Sequence, residues 1–343
     1  MHLWKTGFSC VMIWVLVVFT AQAQKTVLLN GSKQIINLNP HVKYLRDDAQ
    51  KLTISQVLQD SLQKNFIPNR KVSFNLGPGE AVVWIKVKLR ATKPGRYLLE
   101  LGDTGVEEII LYQQDKTQKQ YIPTDTLGDN VPFRKRSLKA TNYLFQLDIQ
   151  DRKPHIVYLK CYAFEVLTFP LRIGSYEAFL EGNHQYDVIM GGFYGVVLIM
   201  IFYNLFIFIS TRQPSYLYYI LYVFSSTLTV GTLKGHSLEY LWPNRVFFND
   251  FLPIYMVITG FFIVLFANRF LNTKKTAPRL RKFSLVFYGL FTLALVAAPF
   301  KVSLTIIILF FAVVSSSIFV IFMGVAVLRK NYRPARCIQS KSS

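Results

Sequence analysis

The stretch VIMGGFYGVVLIMIFYNLFIFIS, residues Val188–Ser210, decides how this chain is read. Its 23 positions carry no charge, and about 20 apolar residues are enough for a helix to cross a bilayer. Four more spans of the same character follow, at Tyr216–Leu233, Phe251–Asn268, Phe283–Phe300 and Val302–Leu328. Their interiors hold almost no ionisable groups, which argues against an ion-driven transporter and against an intramembrane protease. Two features of the first span stand out. Gly191 and Gly195 have the Gly-x-x-x-Gly spacing that lets helices approach closely, and Asn204 is a polar group suited to an interhelical hydrogen bond or to switching. An ordinary packing contact is the commoner role for such an Asn.

Charge gives the orientation. The 343 residues are 52% hydrophobic yet carry a net charge of +20, with a mean hydropathy of +0.29. Residues 24–180 are net +8 and residues 181–343 net +11. With the first span running inward, the inner segments hold Arg212, then Arg269, Lys274, Lys275, Arg279, Arg281 and Lys282, then Arg329, Lys330, Arg333, Arg336 and Lys341. That is 12 basic residues and no acid. This follows the positive-inside rule, so the charge sets topology and is not a nucleic-acid footprint. Membrane lipid is an expected partner through attraction of the inner face to anionic headgroups. Tyr216, Tyr218, Tyr219 and Tyr222 read as an inner aromatic belt, Tyr240 and Trp242 as an outer one.

The N-terminus fits the same topology. Lys5, the apolar run Val11–Phe19 and Ala21-Gln22-Ala23 read as a secretory signal peptide over 1–23. The run is too short to span comfortably as a first helix. Cys161 is then the only cysteine of the mature outer part, and it reads as a core residue.

Residues 24–180 read as an all-β extracytoplasmic domain. Val83, Ile85, Val87 and Leu89 alternate with Trp84, Lys86, Lys88 and Arg90, and similar alternation recurs at 97–101, 143–149, 156–158 and 167–173. Turns at Lys93-Pro94-Gly95 and Gly128-Asp129-Asn130 separate the runs. Many short strands without a βαβ rhythm favour a jelly-roll-like sandwich. A short helix over 55–62 has Ile54, Val57 and Leu58 as its apolar stripe. No metal-ligand pattern, nucleophile elbow or P-loop occurs, so neither an enzyme nor a cofactor is expected. Trp84 on the polar face of its strand, beside Lys86, is a candidate sugar-stacking platform; packing beneath a loop is the commoner role. Arg134 and Arg136 are candidate contacts for an anionic ligand group, against the commoner role of a solvated loop.

The order of motifs then resembles the 7TMR-DISM family, bacterial seven-transmembrane receptors with diverse intracellular signalling modules. The resembling stretches are Tyr203-Asn204-Leu205, Tyr216-Leu217-Tyr218-Tyr219, Tyr240-Leu241-Trp242-Pro243, Arg269-Phe270-Leu271-Asn272 with Pro278, and Arg333-Pro334-Ala335-Arg336. The preceding domain resembles the family's type-2 extracellular domain at Ile54–Phe66, Val83-Trp84-Ile85-Lys86, Leu98–Gly102 and Ile110-Leu111-Tyr112. The resemblance implies a jelly roll similar to carbohydrate-binding modules over 24–180 and a transmembrane domain over 181–336, with 337–343 a cytoplasmic tail. It implies a receptor in the bacterial inner membrane that binds a small extracytoplasmic ligand, a carbohydrate being one class, and signals inward. Five spans instead of seven, and no output motif, point to a truncated or frameshifted member, or to one that signals through a separate cytoplasmic partner. A membrane-anchored glycan-binding protein without signalling and a non-functional remnant are the alternatives.

Overall fold

A computed structural model describes residues 26–329, apart from 32–33, 73, 79–80, 103–104, 116, 164–165 and 298–301. The signal-peptide segment 1–23 and the tail 337–343 lie outside the described residues.

Two sheets face each other. The larger runs β4 (Ile67–Pro68), β3 (Lys43–Asp47), β6 (Ala81–Ala91), β11 (Pro154–Ala163), β8 (Glu108–Gln114), β9 (Tyr121–Leu127), with β1 (Val27–Leu29) alongside β6. The smaller runs β10 (Tyr143–Ile149), β7 (Gly95–Leu101), β13 (Leu171–Ser175), β2 (Ile36–Asn37). A separate pair joins β5 (Phe74–Pro78) to β12 (Val166–Phe169). The side-chain period of two puts Val83, Ile85, Val87 and Leu89 of β6 into one core with Leu99 and Leu101 of β7 and Phe145 and Leu147 of β10. Cys161 is buried in that core, and burial pushes its thiol pKa far up.

Both outer faces of the sandwich are covered as well. Two short helices, α1 (Ile54–Val57) and α2 (Asp60–Gln63), replace the single helix expected over 55–62. Thr53 and Gln56 form a reciprocal capping box that fixes the start of α1. Val57 then packs with Leu45, Phe66, Val82, Trp84 and Tyr158 on the outside of the larger sheet. On the smaller sheet, Leu98 and Leu144 pack against Phe179 from the first long helix. Glu100 lies on this same face, fully buried; it accepts from Arg172 Nε at 2.6 Å and from Asn142 Nδ2 at 2.7 Å. Glu100→Ala should cost about 1–3 kcal/mol in thermal unfolding. The cost stays below that of a fully buried pair because Arg172 remains partly exposed and water can solvate the freed cation.

Helices α3 (Tyr176–Thr211), α4 (Pro214–Leu233), α5 (Leu252–Phe270), α7 (Pro278–Ala297) and α8 (Val302–Arg329), with the short α6 (Thr273–Thr276) between, make the bundle. Five of its helical segments are long and apolar enough to cross a membrane. The first begins at Tyr176, twelve residues before the apolar run, because Ser175 caps it directly at the end of β13. Phe291 of α7, Val264 of α5, and Leu309 and Ala312 of α8 centre the bundle core.

Candidate functional site

The residues expected to bind ligand fall into different environments. Trp84 is fully buried, not displayed. Its ring lies 5.4 Å from that of Tyr112, Lys160 Nζ sits 5.6 Å from its centroid, and its Nε1 has no hydrogen-bond partner among the described residues. The polar half of β6 therefore supports a second small core, which explains why a Trp fits there. Lys86 is half-buried, 5.9 Å and 5.8 Å from the Phe66 and Tyr158 ring centroids, and donates to Gln63 Oε1. Burial, aided by Lys43 and Lys88, lowers its amine pKa.

Arg134 stands exposed, whereas Arg136 is buried between the rings of Phe133 and Tyr143, with its guanidinium carbon 5.1 Å and 4.9 Å from their centroids. Arg136 Nη1 donates to Ala140 O and Thr141 O, so it ties down its own loop. Glu239, from the loop after α4, is close enough for its charge to act on Arg136.

In the first span, Asn204 Nδ2 donates to Met200 O at 2.8 Å within its own helix, the back-bonding usual for a polar side chain in a helix. A methyl group on Gly191 or Gly195 would meet no described neighbour within 4 Å. Polar ties between spans stand elsewhere: Asn268 Nδ2 donates to Ser284 Oγ at 2.9 Å while its Oδ1 accepts from Thr273 Oγ1 at 2.6 Å, and Thr229 Oγ1 lies 3.3 Å from Thr259 Oγ1 across α4 and α5. The four tyrosines opening α4 are half-buried; Tyr218 and Tyr219 stack toward Phe262 and Phe266 of α5.

Sequence reasoning missed the cluster that closes the outer mouth of the bundle. His236 follows α4 and is buried. Its Nδ1 lies 3.1 Å from Tyr194 Oη. The rings of Tyr186 and Tyr240 stack parallel to it at 5.9 Å and 6.4 Å, and Tyr194 meets it edge-on. Tyr186 and Tyr194 lie on α3, some fifty positions upstream, so no local motif announces the group. Beneath it is a cavity of about 430 Å³ between α3 and α4.

Burial lowers the His236 pKa and Lys234 adds to this, while Asp187 opposes it. A depressed pKa in the folded state means that the neutral imidazole belongs to the closed cluster. Stability at this latch is then complete above the ordinary value of 6.5 and declines as pH falls below it. Glu239 also faces this region, with its carboxyl pKa raised chiefly by burial. Once each rate is referred to its intrinsic value at that pH, the hydrogen-exchange protection of residues 236–241 should therefore fall between pH 7.5 and pH 5.5, and His236→Gln should flatten most of that dependence.

Comparisons with known proteins place these two halves. The transmembrane family described as 7TM diverse intracellular signalling matches residues 186–338, and the family described as 7TMR-DISM extracellular 2 matches residues 39–175. A search of curated proteins finds no match. Among solved structures, a GH31 alpha-xylosidase from Xanthomonas citri is similar at 11% identity and a TM-score of 0.19. That match covers 39% of this chain and spans only 16% of the xylosidase. A mutant of the carbohydrate-binding module CBM29-2 is similar at 9% identity and a TM-score of 0.17, over 32% of this chain and 84% of that one.

Proposed function

Because the chain belongs to the 7TMR-DISM family of membrane receptors, with its type-2 extracellular domain, we propose that it is a sensor in the bacterial inner membrane. In this reading the sandwich over 24–180 binds a small extracytoplasmic ligand, and the helices over 181–336 relay its state to a cytoplasmic signalling partner. A carbohydrate is the ligand class that the extracellular domain's likeness to carbohydrate-binding modules implies. Trp84 takes no part in the contact, and Arg134 is the exposed cation left to meet an anionic sugar substituent.

The observation that carries the relay is the junction. Strand β13 passes into α3 without a loop, Ser175 Oγ accepts from Ala178 N, and Phe179 is buried on the smaller sheet. Residues 174–185 are thus strand end and helix, and a shift of the sheet moves the first span with it. A ligand drives such a relay only through different affinities for two arrangements.

The test starts with a glycan array probed with the purified full chain, followed by hydrogen exchange with the sugar it selects. Protection changes should reach residues 186–201 of α3. Changes confined to the sandwich would leave a membrane-anchored glycan binder, and an array without binding would remove the sugar. Two glycines inserted between Ser175 and Tyr176 should abolish the change in α3 while sugar affinity stays within about twofold, since the insertion breaks the mechanical path and leaves the sheets intact.

A further inference from the structure

We propose that the cavity between α3 and α4 is a site for one hydrocarbon chain of an outer-leaflet membrane lipid. The inference rests on the five segments crossing a membrane with the sandwich outside, not on the identity of the sensed ligand.

Three observations lead there. The first is shape. The walls run from Tyr194 to Ile201 on α3 and from Phe224 to Gly231 on α4. Each stretch rises about 10 Å along its helix. The helices are antiparallel: at the top, Tyr194 Oη lies 3.6 Å from where a Gly231 Cβ would be. The groove therefore lies along the membrane normal and spans about two-thirds of one leaflet's apolar half, taking ~30 Å for the whole hydrocarbon core. The second is chemistry. Below the top the polar group of the lining is Thr227 Oγ1, which donates to Val223 O at 2.7 Å; Tyr194, His236, Ser237 and Tyr240 gather at the top, where His236 Nδ1 lies 3.1 Å from Tyr194 Oη. The remaining wall is Leu198, Ile201, Phe224 and Leu228, so an occupant with polar atoms at this depth would lose its hydration for nothing in return. The third is access. Leu198, Phe224 and Leu241 line the groove and are also exposed at its side, and at that level of the spans the surrounding medium is lipid. A flexible chain that fills the groove restores the dispersion contacts that its walls lack.

Gly231 lets the outer turn pack closely over the top, since a Cβ there would stand 2.7 Å from Ser237 Oγ. The His236–Tyr194 pair caps the groove at headgroup level. An occupying chain thus stands directly under the contact between α3 and the outer loop.

The full chain in nanodiscs of phosphatidylcholine, doped with a phosphatidylcholine carrying a photoreactive diazirine on its acyl chain, provides the test. After illumination, adducts on 194–201 and 224–231 should exceed those on the equally lipid-facing Leu285 and Phe310 by at least severalfold. Leu228→Trp, which fills the groove, should bring them down to that background. Ile201→Trp serves as a second variant if the first melts early. Adducts spread evenly over all lipid-facing helices would overturn the site, leaving ordinary bilayer contact. So would wild-type chain lacking groove adducts but cross-linking to a second copy through α3 and α4, since another helix would then fill the space.

Discussion

Trp84→Ala is expected to unfold the sandwich at a markedly lower temperature, with a loss of about 3–5 kcal/mol. The ring is wholly buried on the outer side of β6, under Tyr112 and among Val57, Phe66 and Tyr158. Its removal leaves a void, and α1 and α2 are too short to collapse into it. The effect should be largest in hydrogen exchange of β6 and α1 and absent from α5 and α7. Trp84→Phe makes a sharper test. It keeps most of the packed volume and removes an indole N–H that has no partner among the described residues. An unpaired buried donor costs about 1–3 kcal/mol, so Trp84→Phe should recover most of the stability. If Trp84→Ala instead melted like the wild type and lost only ligand affinity, the ring would be a displayed platform and the packing described for this face would be wrong.

The same residue marks where sequence reading stops. Alternation along β6 placed Trp84 and Lys86 correctly on the face opposite Val83 and Ile85, because a strand's period is fixed by its backbone. It could not say what covers that face. The cover comes from α1 and its flanks, whose packing with Trp84 is tertiary, and the short apolar stripe at Ile54, Val57 and Leu58 hinted at a helix without saying where it docks. The spans were legible for the same kind of reason: length and apolarity are local properties, and the five helices coincide with the five runs to within a few residues except at α3. That helix starts early because its first two turns are amphipathic, with Phe179 facing the smaller sheet and Glu177 and Glu181 facing water. The aromatic cluster at His236 was not legible at all, since Tyr186, Tyr194 and His236 meet only after α3 and α4 pair. In the same way, the Gly-x-x-x-Gly spacing drew attention to Gly191 and Gly195, while the tightest of the described bundle glycines is one with no motif around it.

That glycine is Gly260 in α5. A Cβ built there would lie 2.1 Å, 2.4 Å and 2.9 Å from three ring atoms of Phe291 on α7. Phe291 is buried with Val264, Leu309 and Ala312 around it, so the ring has no empty rotamer to swing into. Gly260→Val must push α5 and α7 apart at a level where α8 also packs. Overpacking a well-filled core costs about 1–3 kcal/mol, and here the overlap is with a rigid ring, so the upper end is expected. In a membrane no hydrophobic drive between helices compensates, because lipid solvates separated apolar faces as well as they solvate each other. The measurable result is a fall in melting temperature in detergent, with faster exchange in α5, α7 and α8 and an unchanged sandwich. Phe291→Ala alone should also destabilise, by opening a cavity. The double variant Gly260→Val with Phe291→Ala should be milder than the two separate losses combined, because the new methyls occupy the vacated ring space. Gly191→Val, at a position with no described neighbour to displace, should leave melting almost unchanged. Additive losses in the double variant, or a larger loss at Gly191 than at Gly260, would mean that the bundle is held along a different pair of helices.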